Sequence, residues 1–216
     1  ERRALRGEPR HDRRKPRHEF HLVRALVEVA RAAHPAQRPV THALGALASV
    51  ARLARVAAPA MPAGLGRLGV TRASLGVQSF DPVVQRAINR VQTVAQTAAA
   101  VDGLRAAGVR GINFDLIYGL PYQTIASCRD TVAACLDMRP ARFAVFGYAH
   151  VPGFKKHQRM IDEATLPDGV ARHAQAEAIA DALQAAGYRR IGLDHYALPS
   201  DPMVSAHLDG RLRRNF

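Results

Sequence analysis

The stretch GINFDLIYGLP, residues 111–121, decides how this chain reads. As a strand it alternates faces, with Ile112, Phe114 and Leu116 on one side and Asn113, Asp115 and Ile117 on the other. A carboxylate is costly to bury without partners, so an aspartate near the end of such a strand requires explanation. One face is apolar enough to pack under helices, and the other offers polar groups. Two readings of Asp115 stand side by side: it lines a ligand site, or it caps a turn or pairs with a nearby arginine. Gly119-Leu120-Pro121 then closes the strand as a turn.

Outward from this segment, short apolar strands alternate with longer helical patterns, which is the mark of βαβ units and a parallel sheet. A strand is expected over 73–78. Asp81 caps the next helix with Pro82 at its first position, and an apolar stripe from Val84 through Leu104 runs on to a stop at Gly108. Thr124 caps a helix over 125–138, residues 142–148 form a third strand, and a helix over 168–186 ends at Gly187. The extended piece RRIGLDHYALP, residues 189–199, follows. The fold class is α/β, with an open or closed segment of a β/α barrel as the expected geometry.

Period two gives the three strands one polar or small face each: Ser74, Gly76 and Gln78 in the first, Asn113 and Asp115 in the second, Val145, Gly147 and Ala149 in the third. Gln78, Asp115 and Ala149 are nearest the C-terminal ends, where β/α folds bind ligands. A carboxylate at position 115 is suited to accept hydrogen bonds from a ribose diol.

Composition narrows the classes. With 216 residues and 48% hydrophobic content, the chain has material for one sizeable core. No apolar run reaches the ~20 residues of a membrane span, and neither a signal peptide nor an anchor is expected; two cysteines fit a reducing cytoplasm. The net charge of +13 is mostly local, because residues 1–69 hold 14 Lys and Arg against 5 Asp and Glu. That segment lacks interleaved aromatic residues, and no nucleic-acid role is expected. It is basic, rich in Ala, Arg and Pro, and offers no recognisable fold. Helices are plausible over 19–33 and 41–57, with a linker from Pro59 to Gly66.

The motifs RASLGVQSFDPVVQRAINRVQ, NFDLIYGLPYQT, VFGYAHVP, GLDHYALPSD and GRLRRNF, in that order, resemble the oxygen-independent coproporphyrinogen III oxidase family, a branch of the radical S-adenosylmethionine (SAM) superfamily. GVQSF and DLIYGLP are shared with the related haem-chaperone branch, whereas YAHVP, DHYALP and RNF favour the oxidase. The resemblance implies part of a six-unit β/α barrel, about its strands 4–6, over residues 70–216, behind a poorly structured or helical segment 1–69. It also implies a 4Fe-4S cluster that cleaves S-adenosylmethionine to a radical, and a porphyrinogen substrate whose two propionates become vinyl groups. Residue by residue, Gln78, Arg90, Asp115 and Ala149 match family positions that hold an S-adenosylmethionine molecule. His195 has two readings, a residue that approaches substrate or a packed, hydrogen-bonded histidine, and the second is preferred. The family is usually monomeric.

The departure lies in the metal. The family's cluster sits on a C-x-x-x-C-x-x-C loop, and this chain has only Cys128 and Cys135, seven residues apart. No metal ligand and no catalytic residue is assigned here. The acidic residue expected at the end of the family's third strand aligns with Ala51. The expectation is that residues 1–69 derive from a shifted frame or a misplaced start in a GC-rich gene. The chain is then inactive as it stands and, with strand edges exposed, self-associates. The other reading is a non-catalytic binder of porphyrin or S-adenosylmethionine.

Overall fold

A computed structural model describes residues 49–53, 61–67 and 69–213. In chain order these form β1 (Ser49–Leu53), α1 (Met61–Arg67), β2 (Val70–Gln78), α2 (Pro82–Ala87), α3 (Val94–Ala106), β3 (Gly111–Tyr118), α4 (Ile125–Asp137), β4 (Arg142–Gly147), two 3-10 turns (Lys156–Met160 and Glu163–Thr165), α5 (Gly169–Ala185), β5 (Arg189–Ile191), β6 (His195–Ala197) and α6 (Pro202–Leu208). The sheet order is β1-β2-β3-β4-β6-β5. The first four strands are parallel, and β6 pairs antiparallel with both β4 and β5.

The α/β architecture is the expected one, with three adjustments. A parallel strand precedes the three expected, so a helix over 41–57 is corrected at 49–53, where the backbone pairs with β2. The Pro59–Gly66 linker is likewise corrected, because Met61–Arg67 is helical. The remaining expectations for residues 1–48, including the helix over 19–33, lie outside the described residues. At the other end, the extended piece 189–199 is a hairpin rather than one strand: Gly192, at φ 64°, lets the chain reverse between β5 and β6.

The third adjustment is the long helix expected from Asp81 to Gly108, which is two. Asp81 caps the first as expected, its Oδ1 accepting from the N–H groups of Val83 and Val84. The chain then leaves the helix at Ile88 and passes through Asn89 at φ 50°. It restarts with a capping box in which Thr93 Oγ1 accepts from Gln96 N–H and Gln96 Oε1 accepts from Thr93 N–H. Buried Gln85 holds the break closed: its Nε2 donates to the carbonyls of Ser79 and Gln92, and its Oε1 accepts from Gln92 N–H. Thr124 and Asp168 cap α4 and α5 as the sequence reading expects.

The core lies on the helix-covered side of the sheet. Leu75, Val77, Phe114, Leu116, Phe143 and Val145 bury there with Val101, Leu104, Val132, Ile179 and Leu183 from the helices. Each such side chain contributes about 1.5–3 kcal/mol. Phe143 meets Phe114 and Tyr188 edge-on at centroid distances of 6.1 and 5.1 Å, and Tyr188 Oη donates to the Pro140 carbonyl at 2.6 Å. These contacts fix the parity of β4 and overturn the face assigned to it. Register pairs Asp115 with Ala144 and Ile117 with Phe146, so Ala144 and Phe146, not Val145 and Gly147, share the polar side. The first two strands keep the expected faces, since Ser74 and Asn113 both hydrogen-bond to Asp115.

Candidate functional site

The inner face of the sheet carries two polar clusters, one at each end of the strands. At the N-terminal end, Arg72 of β2 and Arg142 of β4 converge on Asp201, the N-cap of α6. Arg72 Nη2 and Arg142 Nε both donate to Oδ2 at 2.9 Å, and Arg142 Nη2 and the Met203 N–H donate to Oδ1. Burial pushes the Asp201 carboxyl up, but the hydrogen bonds from Arg142, the Met203 backbone and Arg72 outweigh it and leave it below the usual carboxylate range. Gly111 is needed here, because a Cβ at that position would lie 2.8 Å from the Arg72 guanidinium carbon. This end is closed by its own chain.

Toward the C-terminal end the arrangement is open. Asp115 Oδ1 accepts from Ser74 Oγ at 2.9 Å and from Asn113 Nδ2 at 2.8 Å, while its Oδ2 has no hydrogen-bond donor among the described residues. Beside it in register sits Gly76, whose carbonyl accepts from Arg90 Nη2 at 2.5 Å. A Cβ on Gly76 would stand 2.7 Å from Gln78 Nε2 and 2.8 Å from Arg90 Nη2, so the missing side chain is the space those two groups occupy.

Gln78 reaches this spot through backbone distortion. The β2–β3 register shifts between Gly76 and Gln78, and Gln78 sits at φ 66°, a left-handed conformation that costs a non-glycine residue about 1 kcal/mol. Its Oε1 is buried without a hydrogen-bond partner among the described residues, a further cost of about 1–3 kcal/mol that a ligand N–H or O–H would remove. Strain and an orphaned acceptor at one residue point to a bound group.

Of the four residues matched from the sequence, the structure thus gathers Gln78, Arg90 and Asp115 around Gly76. Ala149 lies two residues past β4, exposed, with its carbonyl accepting from Gln158 Nε2 at 3.0 Å. His195 is half-buried on β6, its ring edge-on to Phe146 at 6.3 Å.

Sequence reasoning missed the supports. The break between α2 and α3 delivers Arg90, and Asn89 with the Thr93-x-x-Gln96 box was its legible signal. Buried Gln123 and Gln175 pin the turn after β3: Gln123 bridges Leu120 N–H and the Ile117 carbonyl, and Gln175 bridges Gly119 N–H and the Gln123 carbonyl. Nothing local marks either glutamine for that role. Two hollows of about 540 and 390 Å³ lie elsewhere, one beside β5 and α6, the other against the Arg72–Asp201 end. The Gly76 site is a wall of an open sheet rather than an enclosed pocket.

The residues present do not fit the iron-sulfur cluster that the resemblance implies. Cys128 and Cys135 are both buried on α4 against the core, about 10 Å apart along the helix axis. Burial pushes the Cys128 thiol up to about 12 and the Cys135 thiol higher still, away from the thiolate a cluster requires. No group of three His, Cys, Asp or Glu side chains among the described residues is placed to hold a metal. They do fit an S-adenosylmethionine-like ligand, which brings hydroxyl and ammonium donors for Asp115 Oδ2 and Gln78 Oε1.

Comparison with known proteins agrees with this fold. Residues 47–135 match the model of the Radical SAM superfamily. The chain is 69% identical over 148 residues to oxygen-independent coproporphyrinogen III oxidase of Bradyrhizobium diazoefficiens, covering 68% of this chain and 33% of that protein. Coproporphyrinogen III oxidase, anaerobic 1, of Cereibacter sphaeroides is 47% identical over the same shares. The solved structure of coproporphyrinogen III oxidase (HemN) from Escherichia coli, a radical SAM enzyme, superposes with a TM-score of 0.74 at 35% identity, covering 77% of this chain and 38% of that one. The chain therefore spans about a third of the length of these relatives. No described helix is long and apolar enough to cross a membrane.

Proposed function

Over the C-terminal part of its barrel the chain belongs to the oxygen-independent coproporphyrinogen III oxidase family of the radical SAM superfamily, and from that premise we propose that it binds S-adenosylmethionine but does no radical chemistry by itself. Asp115 Oδ2 would take the ribose hydroxyls, and Gln78 Oε1 an ammonium or hydroxyl donor. Arg90 draws the ligand's carboxylate to the Gly76 edge, and Ala149 borders the far rim. When bound in the family, S-adenosylmethionine supplies the radical that begins the oxidative decarboxylation of coproporphyrinogen III in haem biosynthesis. This chain's own residues orient the cofactor; the thiolates that would deliver an electron to it are not among the 216 residues.

The observation that supports this reading is the convergence of Gln78 and Arg90 over Gly76 beside a half-satisfied Asp115. Calorimetry of the full chain with S-adenosylmethionine tests it. Saturable binding that falls at least about tenfold in Asp115→Ala and Gln78→Ala is the expected result. Binding unchanged by both substitutions, or absent from the wild type, overturns it. The same titration separates a cofactor binder from an inert remnant. Self-association through β1, which pairs with β2 alone among the described strands, is expected in sizing experiments, and a monodisperse monomer contradicts it.

A further inference from the structure

At the N-terminal end of the strands the cations outnumber what Asp201 can neutralise. Arg72 and Arg142 share that one carboxylate, which leaves one positive charge over. Arg110, the residue before β3, adds a second: its side chain is exposed and has neither a hydrogen bond nor an ion pair among the described residues.

These groups meet at the hollow of about 390 Å³. Thr71, Arg72, Arg110, Ser200 and Asp201 are among the residues that line it, and Asp201 is the only carboxylate in that lining. Register sets the strand starts side by side: Arg72 pairs with Gly111, and one step earlier the Arg110 N–H donates to the Thr71 carbonyl at 3.1 Å. The Thr71 hydroxyl is buried with no hydrogen-bond partner among the described residues, a cost of about 1–3 kcal/mol that is recovered when a polar group settles against it. Ser200, at the rim, is exposed.

Such surroundings select the occupant. With two positive charges in surplus and the one carboxylate already saturated, a cation is repelled and an anion is drawn in. The free groups are guanidinium forks and hydroxyls, and no aromatic side chain lines the hollow, so hydrogen-bonding oxygens match it and a flat ring does not. A dianion whose oxygens point in several directions meets both demands, and the volume has room for a phosphate group. The larger hollow beside β5 lacks this convergence, although Arg189 and Arg190 line it: they are consecutive on a strand and project to opposite faces, and no buried unpartnered hydroxyl joins them among the described residues.

We infer that the hollow under the starts of β2 and β3 binds a phosphate group, with Arg110 and Arg72 gripping its oxygens and the Thr71 and Ser200 hydroxyls completing the contacts. Arg72 spends only Nη2 on Asp201, so the rest of its guanidinium can serve the anion. This site is independent of the S-adenosylmethionine reading, whose Gln78 and Asp115 lie toward the other ends of the same strands.

Calorimetry of the full chain with inorganic phosphate, at fixed ionic strength in a phosphate-free buffer, tests it. Wild type shows one saturable site that chloride does not fill. Arg110→Gln, at an exposed position, weakens binding at least about tenfold. Thr71→Val keeps the shape, removes the hydroxyl and weakens it about fivefold, with unchanged circular dichroism verifying the fold. Arg189→Gln removes the same charge at the other hollow and leaves the affinity as it was. Glycerol phosphate binding more tightly than the free ion assigns the site to a phosphomonoester, and the reverse order assigns it to phosphate itself. Absence of saturable binding, an equal response to chloride, affinity untouched by Arg110→Gln, or a loss as large with Arg189→Gln overturns the site.

Discussion

Two carboxylates on the same inner sheet face, Asp201 at one end and Asp115 toward the other, have opposite surroundings. Asp201 is surrounded: two guanidinium groups and a backbone N–H occupy both its oxygens. Among the described residues Asp115 has neutral donors on Oδ1 alone, and the nearby Arg90 donates to the Gly76 carbonyl. The first arrangement completes itself from its own chain; the second leaves a carboxylate oxygen without a donor among the described residues, where the proposed ligand would bind. Charge satisfaction, rather than residue type, separates the structural aspartate from the one proposed to bind.

The largest effect that tests this contrast is on stability. Asp201→Ala leaves two partly buried guanidinium groups without a counter-charge and should cost about 3–5 kcal/mol in urea unfolding. Asp115→Ala should cost about 1 kcal/mol, the worth of its neutral hydrogen bonds. Equal losses would break the comparison.

Acid titration sharpens it. The Asp201 carboxyl is held below its unfolded value, so it contributes stability above that value and loses the contribution as pH falls through the folded one. The stability difference between wild type and Asp201→Asn should therefore be flat above about pH 5 and shrink in more acid solution. A gap that widens in acid would assign the pair the wrong sign.

Gly76→Ala probes the other end. The atoms its Cβ would meet are the far ends of Gln78 and Arg90, which can swing away, so thermal stability should change by no more than about 2 °C. Affinity for S-adenosylmethionine should nevertheless fall about tenfold or more, because the displaced groups are the ones expected to bind it. Retained affinity would mean that the Gly76 cradle is only a packing feature.

The smallest effect is at the thiols. Cys128 and Cys135 should resist a disulfide reagent at pH 8 in the folded chain and react on unfolding. Anaerobic iron-sulfide reconstitution should add no cluster absorbance; a stable cluster would overturn the reading that the two buried thiols do not fit a metal.

Much of this was legible in the residues. Alternation in GINFDLIYGLP placed Asp115 opposite the core, and the caps at Asp81, Thr124 and Asp168 were readable because an N-cap is a contact within one turn of chain. The parity of β4 was not. Beyond Arg142 its residues are apolar or small on both faces, and the packing of Phe143 against Phe114 and Tyr188 selects one. The orphaned Gln78 oxygen was equally out of reach, since it depends on a shifted register between two strands.

By itself, then, the sequence determined the α/β alternation, the apolar face of β3 and the absence of a thiolate triad, all of which rest on residue type and near-neighbour spacing. Tertiary structure alone decided that Arg90 returns over Gly76 and that Asp201 is neutralised from two strands. Those facts join residues far apart in the chain, and the energy that fixes them arises only when the surfaces meet.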